Sequence, residues 1–250
     1  MVKEHDQIHI PENLSFQKAA TIGVGITTVG LSLYQSLKLK LPNDPIAEPV
    51  PILIYGGSSA TGSLAIQVAK LSGYQVHTTC SSHNFDFVKS LGADVVFDYR
   101  DPGAASEIRR LTDDQLKIVF DTISIESSAN FCAEAISTEG GSYTCLLPIT
   151  VPRSDVKSNL VLGYTAFGEP FEFASQFFAA VPEAKAFAAW WLPLVAKLLE
   201  SGKIKAHPLA LREGGLDGVI EGLDLLRKDR VSGQKLVYNV SATSVSSITI

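Results

Sequence analysis

The sequence predicts an α/β protein built on a doubly wound parallel sheet, and three observations carry that prediction. Residues 51–71 read as a buried strand, a Gly/Ser turn and a helix. Four further strand-like runs, at 74–80, 95–98, 116–121 and 141–147, are each separated from the preceding one by a segment of helical character. Parallel strands need crossovers of that kind, while antiparallel neighbours can be joined by two residues. Beyond Pro148 the alternation lapses, which marks the end of the sheet.

Near the N-terminus, Ser15 is placed to cap a helix bearing Ala19, Ala20, Ile22, Val24, Ile26 and Val29, which continues or restarts through Leu31, Leu33, Tyr34 and Leu37. Gly23, Gly25 and Gly30, with Thr27 and Thr28, weaken that helix intrinsically. They point either to close helix packing or to backbone left open for a ligand. A loop with Pro42, Asn43, Asp44, Pro45 and Pro49 leads to Ile52, Leu53, Ile54 and Tyr55, an uninterrupted apolar run suited to a strand covered on both faces. Leu64, Ile66, Val68, Ala69 and Leu71 give the next helix its apolar positions, and helices at 85–90, 104–111 and 128–136 separate the later strands.

The rest reads as a loop-rich segment at 151–168 with a strand at 159–164, and then a helix at 182–199 that carries Trp190 and Trp191 and is kinked at Pro193. Gly202 caps it, an extended piece spans 207–209, and a helix at 215–227 precedes a strand at 235–240. The domain boundaries this implies are 1–45 for a lead-in and bridging helix, 46–170 for the sheet domain and 171–240 for the C-terminal helices and strand. A Ser/Thr-rich tail at 241–250 is expected to be poorly ordered.

Composition narrows the function classes. Lys and Arg total 21 against 26 Asp and Glu, with no basic run, so a nucleic-acid partner is not indicated. No apolar stretch is long enough to span a bilayer, and residues 1–10 lack the apolar run of a secretory signal. Cys80, Cys132 and Cys145 are odd in number and lack metal-ligand spacing, which fits a reducing, cytoplasmic setting without a metal site.

The turn Gly56, Gly57, Ser58, Ser59, Ala60, Thr61, Gly62 is a degenerate G-x-G-x-x-G, with Ser59 at the middle glycine. A turn of this kind gathers backbone N–H groups and a helix dipole at one point, favouring a phosphate, although it can also be an ordinary strand-to-helix turn. Hydroxyls of Ser58, Ser59 and Thr61 could supplement it. Neither serine has the glycine two residues on that a nucleophile elbow needs. At the end of the second strand, where an acidic residue would hold a ribose 2′-OH, stand Ser81, Ser82, His83 and Asn84. That turn favours NADP(H) over NAD(H), and Ser81 or Ser82 could equally cap the next helix.

Several stretches together give a specific resemblance: residues 23–30 (GVGITTVG), 55–61 (YGGSSAT), 91–94 (LGAD), 96–100 (VFDYR), 167–169 (FGE), 207–209 (HPL) and 232–236 (SGQKL). The sequence is similar to the trans-acting enoyl reductases of fungal polyketide pathways, in the medium-chain dehydrogenase/reductase superfamily. The resemblance implies a Rossmann sheet domain followed by C-terminal elements that in relatives belong to a GroES-like catalytic domain. It further implies NADPH as cofactor and hydride delivery to an unsaturated thioester carried by a polyketide or polyketide-peptide synthase.

By position, the resemblance implies cofactor contacts from Gly57, Ser58, Ser59, Ala60, Thr61 and Gly62 to the phosphates. Ser81, Ser82, His83 and Asn84 would bind the adenosine 2′-phosphate, Tyr99 would lie near the adenine, and Leu146, Leu147, Val231 and Ser232 would line the nicotinamide end. For the substrate cleft it implies Gly23, Val24, Gly25, Ile26, Thr27, Thr28, Val29 and Gly30, with Tyr164, Thr165, Ala166, Phe167 and Gly168. No catalytic side chain and no metal ligand follow from it. Relatives begin with a GroES-like domain, and this sequence starts where that domain ends. The implied exposed surface would favour self-association or a partner, and a non-reducing accessory protein or a redox-neutral isomerase or cyclase stands as the alternative.

Overall fold

The computed structural model describes residues 7–173 and 175–242. Six parallel strands form one sheet in the order β3-β2-β1-β4-β5-β6. They are β1 (Pro51–Tyr55), β2 (Gln75–Cys80), β3 (Val95–Asp98), β4 (Ile118–Asp121), β5 (Gly141–Cys145) and β6 (Val156–Leu160). Helices α3 (Ala60–Leu71), α4 (Phe85–Ser90), α5 (Ala104–Leu111) and α6 (Glu126–Ala135) connect the first five. The order reverses between β1 and β4, and the carboxyl ends of those two strands open the crevice in which doubly wound sheets bind ligands.

The central strand is covered on both faces because its side chains alternate. Ile52 and Ile54 join a core with α3 and the helices on that face, whereas Leu53 and Tyr55 join a second core with Ile108, Val119, Ala129 and Tyr143. On the first face lie α1 (Phe16–Ala19), α2 (Gly23–Gly30), a π-type turn at Leu31–Ser36, and α7 (Pro182–Glu200). Ser15 caps α1, its hydroxyl accepting the Lys18 amide. Trp191 of α7 is fully buried and donates its indole N–H to the Ile26 carbonyl at 2.9 Å.

One expectation is corrected. The sixth strand is Val156–Leu160 rather than 159–164, and Tyr164 lies in a 3₁₀ turn, Gly163–Phe167. The polar Lys157, Ser158 and Asn159 hid that strand, because β6 is a half-exposed edge strand without a buried run. Between that turn and the long helix, β7 (Phe171–Phe173) pairs antiparallel with β8 (Gln176–Phe178), in a stretch to which the sequence reading assigned no element. The long helix runs through Pro193 as one element of 19 residues.

The C-terminal region forms a small unit in which β9 (Leu209–Arg212) pairs in parallel with β10 (Lys235–Tyr238) around α8 (Gly215–Arg227). The tail expectation falls, from residue 243 onward, outside the described residues. No helix among the described residues is long and apolar enough to cross a membrane.

Candidate functional site

The turn between β1 and α3 is shaped by close backbone approach. Gly56 has φ +82°, and a Cβ on Gly57 would strike the Thr78 hydroxyl, while one on Gly62 would lie 2.9 Å from Gly57 Cα. The amides of Ser58, Ala60 and Thr61 have no protein acceptor among the described residues, and α3 has no acidic residue in its first turn. Three free amides at the start of a 12-residue helix form a cradle for a phosphate.

Ser59 has a different role from the one its sequence position suggested. Its hydroxyl accepts the Gly62 amide at 2.9 Å as the N-cap of α3, and it lies 2.9 Å from Thr122 Oγ1. Thr122 donates to the carbonyls of Tyr55 and Gly56, so the Ser59 proton goes to Thr122 and none is left for a ligand. Ser59 therefore fastens the turn to the end of β4 across the switch point.

Behind that switch point lies a polar centre that the sequence reading missed. Asp121, fully buried at the end of β4, accepts the amides of Ile123 and Ser124 on Oδ1 and the hydroxyls of Ser128 (2.5 Å) and Tyr143 (2.8 Å) on Oδ2. Burial and the adjacent carboxylate push the Tyr143 hydroxyl well above its ordinary range. Ser124, at φ +61°, in turn accepts the Leu146 amide at 2.8 Å, which fixes the start of the loop after β5. Leu147 beside it is exposed. The signal available in sequence was a strand ending in Asp followed by Thr122, Ser124 and Ser128, but only the fold brings Tyr143 to it.

At the other side of the crevice, strand pairing sets Cys80 against Asp98, so residues 81–84 leave the sheet beside Tyr99 and Arg100. No side chain caps the 3₁₀ turn Ser82–Asn84 or the helix after it, so the capping alternative for Ser81 and Ser82 is not realised. His83 Nε2 lies 2.9 Å from Ser232 Oγ, and Asn84 Nδ2 donates to the same oxygen at 3.0 Å. This contact sets Ser232 beside the turn after β2, whereas the resemblance implied the nicotinamide end for Val231 and Ser232.

The implied substrate segments meet at one cleft of ≈ 550 Å³, lined by Gly23, Val24, Thr27, Tyr164 and Phe167 together with Ile8, Ile10, Phe16 and Leu192, which the sequence reading did not single out. The other members of the two segments face elsewhere. Ile26 and Val29 are fully buried in the core, Thr28 is buried, and Gly25 packs on α3 with its Cβ position 3.2 Å from Leu64 Cδ1. A Cβ on Gly30 would stand 2.6 Å from Trp191 Cδ1. Thr165 donates to Leu162 within its own turn, Ala166 packs against Leu31 and Ala188, and Gly168 turns the chain at φ +65°. Close packing is thus realised at Gly25 and Gly30, while Gly23 is exposed at the cleft.

Burial drives the Cys80 thiol up to about 12 and raises the other two as well, so none is an activated nucleophile. Among the described residues no three His, Cys, Asp or Glu side chains come together as metal ligands.

Sheet order and the glycine-shaped turn at the switch point are those of a Rossmann-type dinucleotide-binding domain. A family model described as zinc-binding dehydrogenase matches residues 60–146. The chain is 50% identical over 235 residues to the trans-enoyl reductase ACTTS2 of Alternaria alternata, covering 94% of this chain and 68% of that protein. It is 62% identical over 170 residues to the trans-enoyl reductase TOXD of Cochliobolus carbonum, covering 68% and 57%. The chain belongs to the trans-enoyl reductase family. It spans about three fifths to two thirds of the length of these relatives, between 57% and 68%. Among solved structures, the CurF ER cyclopropanase of the curacin A pathway superposes with a TM-score of 0.72 at 23% identity, covering 95% of this chain and 67% of that one, and the CurK enoyl reductase with 0.70 at 17%, covering 93% and 65%. At those identities the likeness is one of fold.

Proposed function

We propose that the chain binds NADPH along the carboxyl edge of the sheet and reduces an α,β-unsaturated thioester presented by a polyketide or polyketide-peptide synthase. The observation that carries this reading is the junction of cradle and cleft. Helix α2 touches both: the Cβ position of Gly25 lies 3.9 Å from the Ala60 carbonyl at the start of α3, and Gly23, Val24 and Thr27, one or two residues along the helix, line the cleft.

When bound, the cofactor supplies a hydride for the β-carbon. The chain's own contribution is binding and orientation. Amides of Ser58, Ala60 and Thr61 would hold the pyrophosphate, Tyr99 would lie beside the adenine, and the turn of Ser81, Ser82, His83 and Asn84, with Ser232, would take the 2′-phosphate. Leu146 and Leu147 stand at the crevice where the nicotinamide would lie and exclude water there. Val24, Thr27, Tyr164 and Phe167 guide an acyl chain, to which an apolar cleft is suited.

Three free, buried cysteines support a reducing, cytoplasmic setting. Exposed Leu216, Ile220 and Leu223 on α8 offer an apolar face for the synthase or for self-association.

The test is a titration of the purified chain with NADPH, followed by nicotinamide fluorescence, and then addition of an enoyl thioester while NADPH absorbance is recorded. Saturable binding and substrate-dependent oxidation are expected. Binding without turnover would instead assign an accessory role, and thioester conversion without NADPH consumption a redox-neutral reaction.

A further inference from the structure

We propose that Arg100 sets the cofactor choice of this site by masking Asp98 and offering its outer N–H groups to the 2′-phosphate. The inference rests on the NADPH reading above and names a determinant within it.

The turn after β2 contains no carboxylate, yet the sheet brings one to it. Asp98 ends β3 directly opposite Cys80 in the register, one residue before the 2′-phosphate turn. An unmasked carboxylate there would repel a phosphate and would accept a ribose 2′-OH, which is the arrangement that favours the unphosphorylated cofactor. Arg100 covers it. Its Nε donates to Asp98 Oδ1 at 2.9 Å, its Nη2 to Oδ2 at 2.7 Å and its backbone amide to Oδ1 at 3.0 Å.

A guanidinium has five N–H bonds, so this fork leaves three for a ligand. The Arg100 side chain is 57% exposed, and its Cζ lies 5.6 Å from the centroid of the Tyr99 ring, the residue assigned to the adenine. The positive group is therefore held between the carboxylate it neutralises and the ring beside which the adenosine would lie. Hydrogen bonds from Arg100, with a smaller contribution from the Ser82 main chain, hold the Asp98 carboxyl down to about 2, so Asp98 is ionised and its charge must be met at any working pH.

Two fragments read this end of the site without involving the nicotinamide or the acyl substrate. The affinities of 2′,5′-ADP and 5′-AMP are measured by calorimetry on the wild-type chain, on Arg100→Met and on the double variant Asp98→Asn/Arg100→Met, with thermal melts to establish that each is folded. The wild type should prefer 2′,5′-ADP. Arg100→Met should lose about tenfold or more of that affinity while 5′-AMP binding changes little or improves. The double variant should recover part of the loss, because the uncovered carboxylate is gone.

A wild-type chain that does not distinguish the fragments overturns the NADPH reading, and the role of Arg100 with it. A discriminating wild type whose Arg100→Met variant discriminates equally, or loses both fragments alike, overturns the role of Arg100 alone.

Discussion

Asp121 accepts four hydrogen bonds in a place water does not reach, and truncating it would strand two amides and two hydroxyls at once. Asp121→Ala should cost about 2–4 kcal/mol, since each buried group left unpaired carries a desolvation penalty. Urea unfolding would measure it. Ser59→Ala removes a single cap and the tie to Thr122, so a smaller loss of about 1 kcal/mol is expected. The two residues show how far single positions could be read from sequence. Ser59 stood visibly in the phosphate motif, but its hydroxyl is spent on Gly62 and Thr122, and that partner lies 63 residues away. The Asp121 cluster draws on Tyr143, which becomes its neighbour only when β5 pairs with β4.

Among elements, α2 both packs against α7 and lines the apolar cleft. Gly30 lies against the Trp191 indole, so Gly30→Val should overpack that contact and cost about 1–3 kcal/mol or more. The change in Trp191 environment would appear in the fluorescence melt. One turn earlier Thr27 lines the cleft and is half-buried. Thr27→Trp should lower kcat/KM for an enoyl thioester on the order of tenfold while leaving NADPH affinity close to wild type. Equal losses of substrate and cofactor binding would show that the cleft is not where the acyl chain lies. Strands β1, β3 and β4 were legible from their apolar runs, β2 and β5 from strand-forming Val, Thr and Tyr, and the four helices between them from helical period, all bounded by turn residues. Strand β6 and the Phe171–Phe178 hairpin were not. Both are half-exposed, and hydrogen bonding to a neighbour defines them more than burial does.

Across the whole molecule, two buried histidines link stability to pH. His77 lies inside β2, 1% exposed, with both ring nitrogens lacking a partner, and burial lowers its pKa. His207, 3% exposed, joins the C-terminal unit to α3 through Ser63 at 2.8 Å, and burial brings it down to about 4. Both are depressed below the unfolded value of about 6.5. The unfolded chain thus binds more protons in acid, and the stability due to the neutral rings is full above that value and is lost as pH falls toward 4. The unfolding free energy, and with it the melting temperature, should decline between pH 7 and pH 5, His207 contributing at most about 1.4 kcal/mol per pH unit and His77 a loss of the same sign. His77→Leu should flatten that decline, and an unchanged slope would exclude His77 as its source.

The sequence by itself determined the alternation of strand and helix, the position of the phosphate turn and the class of residues after β2, because these depend on local period, glycine and hydrogen-bonding chemistry. Only the tertiary structure decided which of those residues act together. Parallel pairing of β2 with β3 put Asp98 and Arg100 beside the turn after β2, and the return of the chain after α8 put Ser232 there as well. Packing of α7 on α2 divided eight consecutive residues between core and cleft. These are contacts between positions tens to more than a hundred residues apart, fixed by the hydrogen-bond register of the sheet and by which helix face is buried, and no local pattern encodes them.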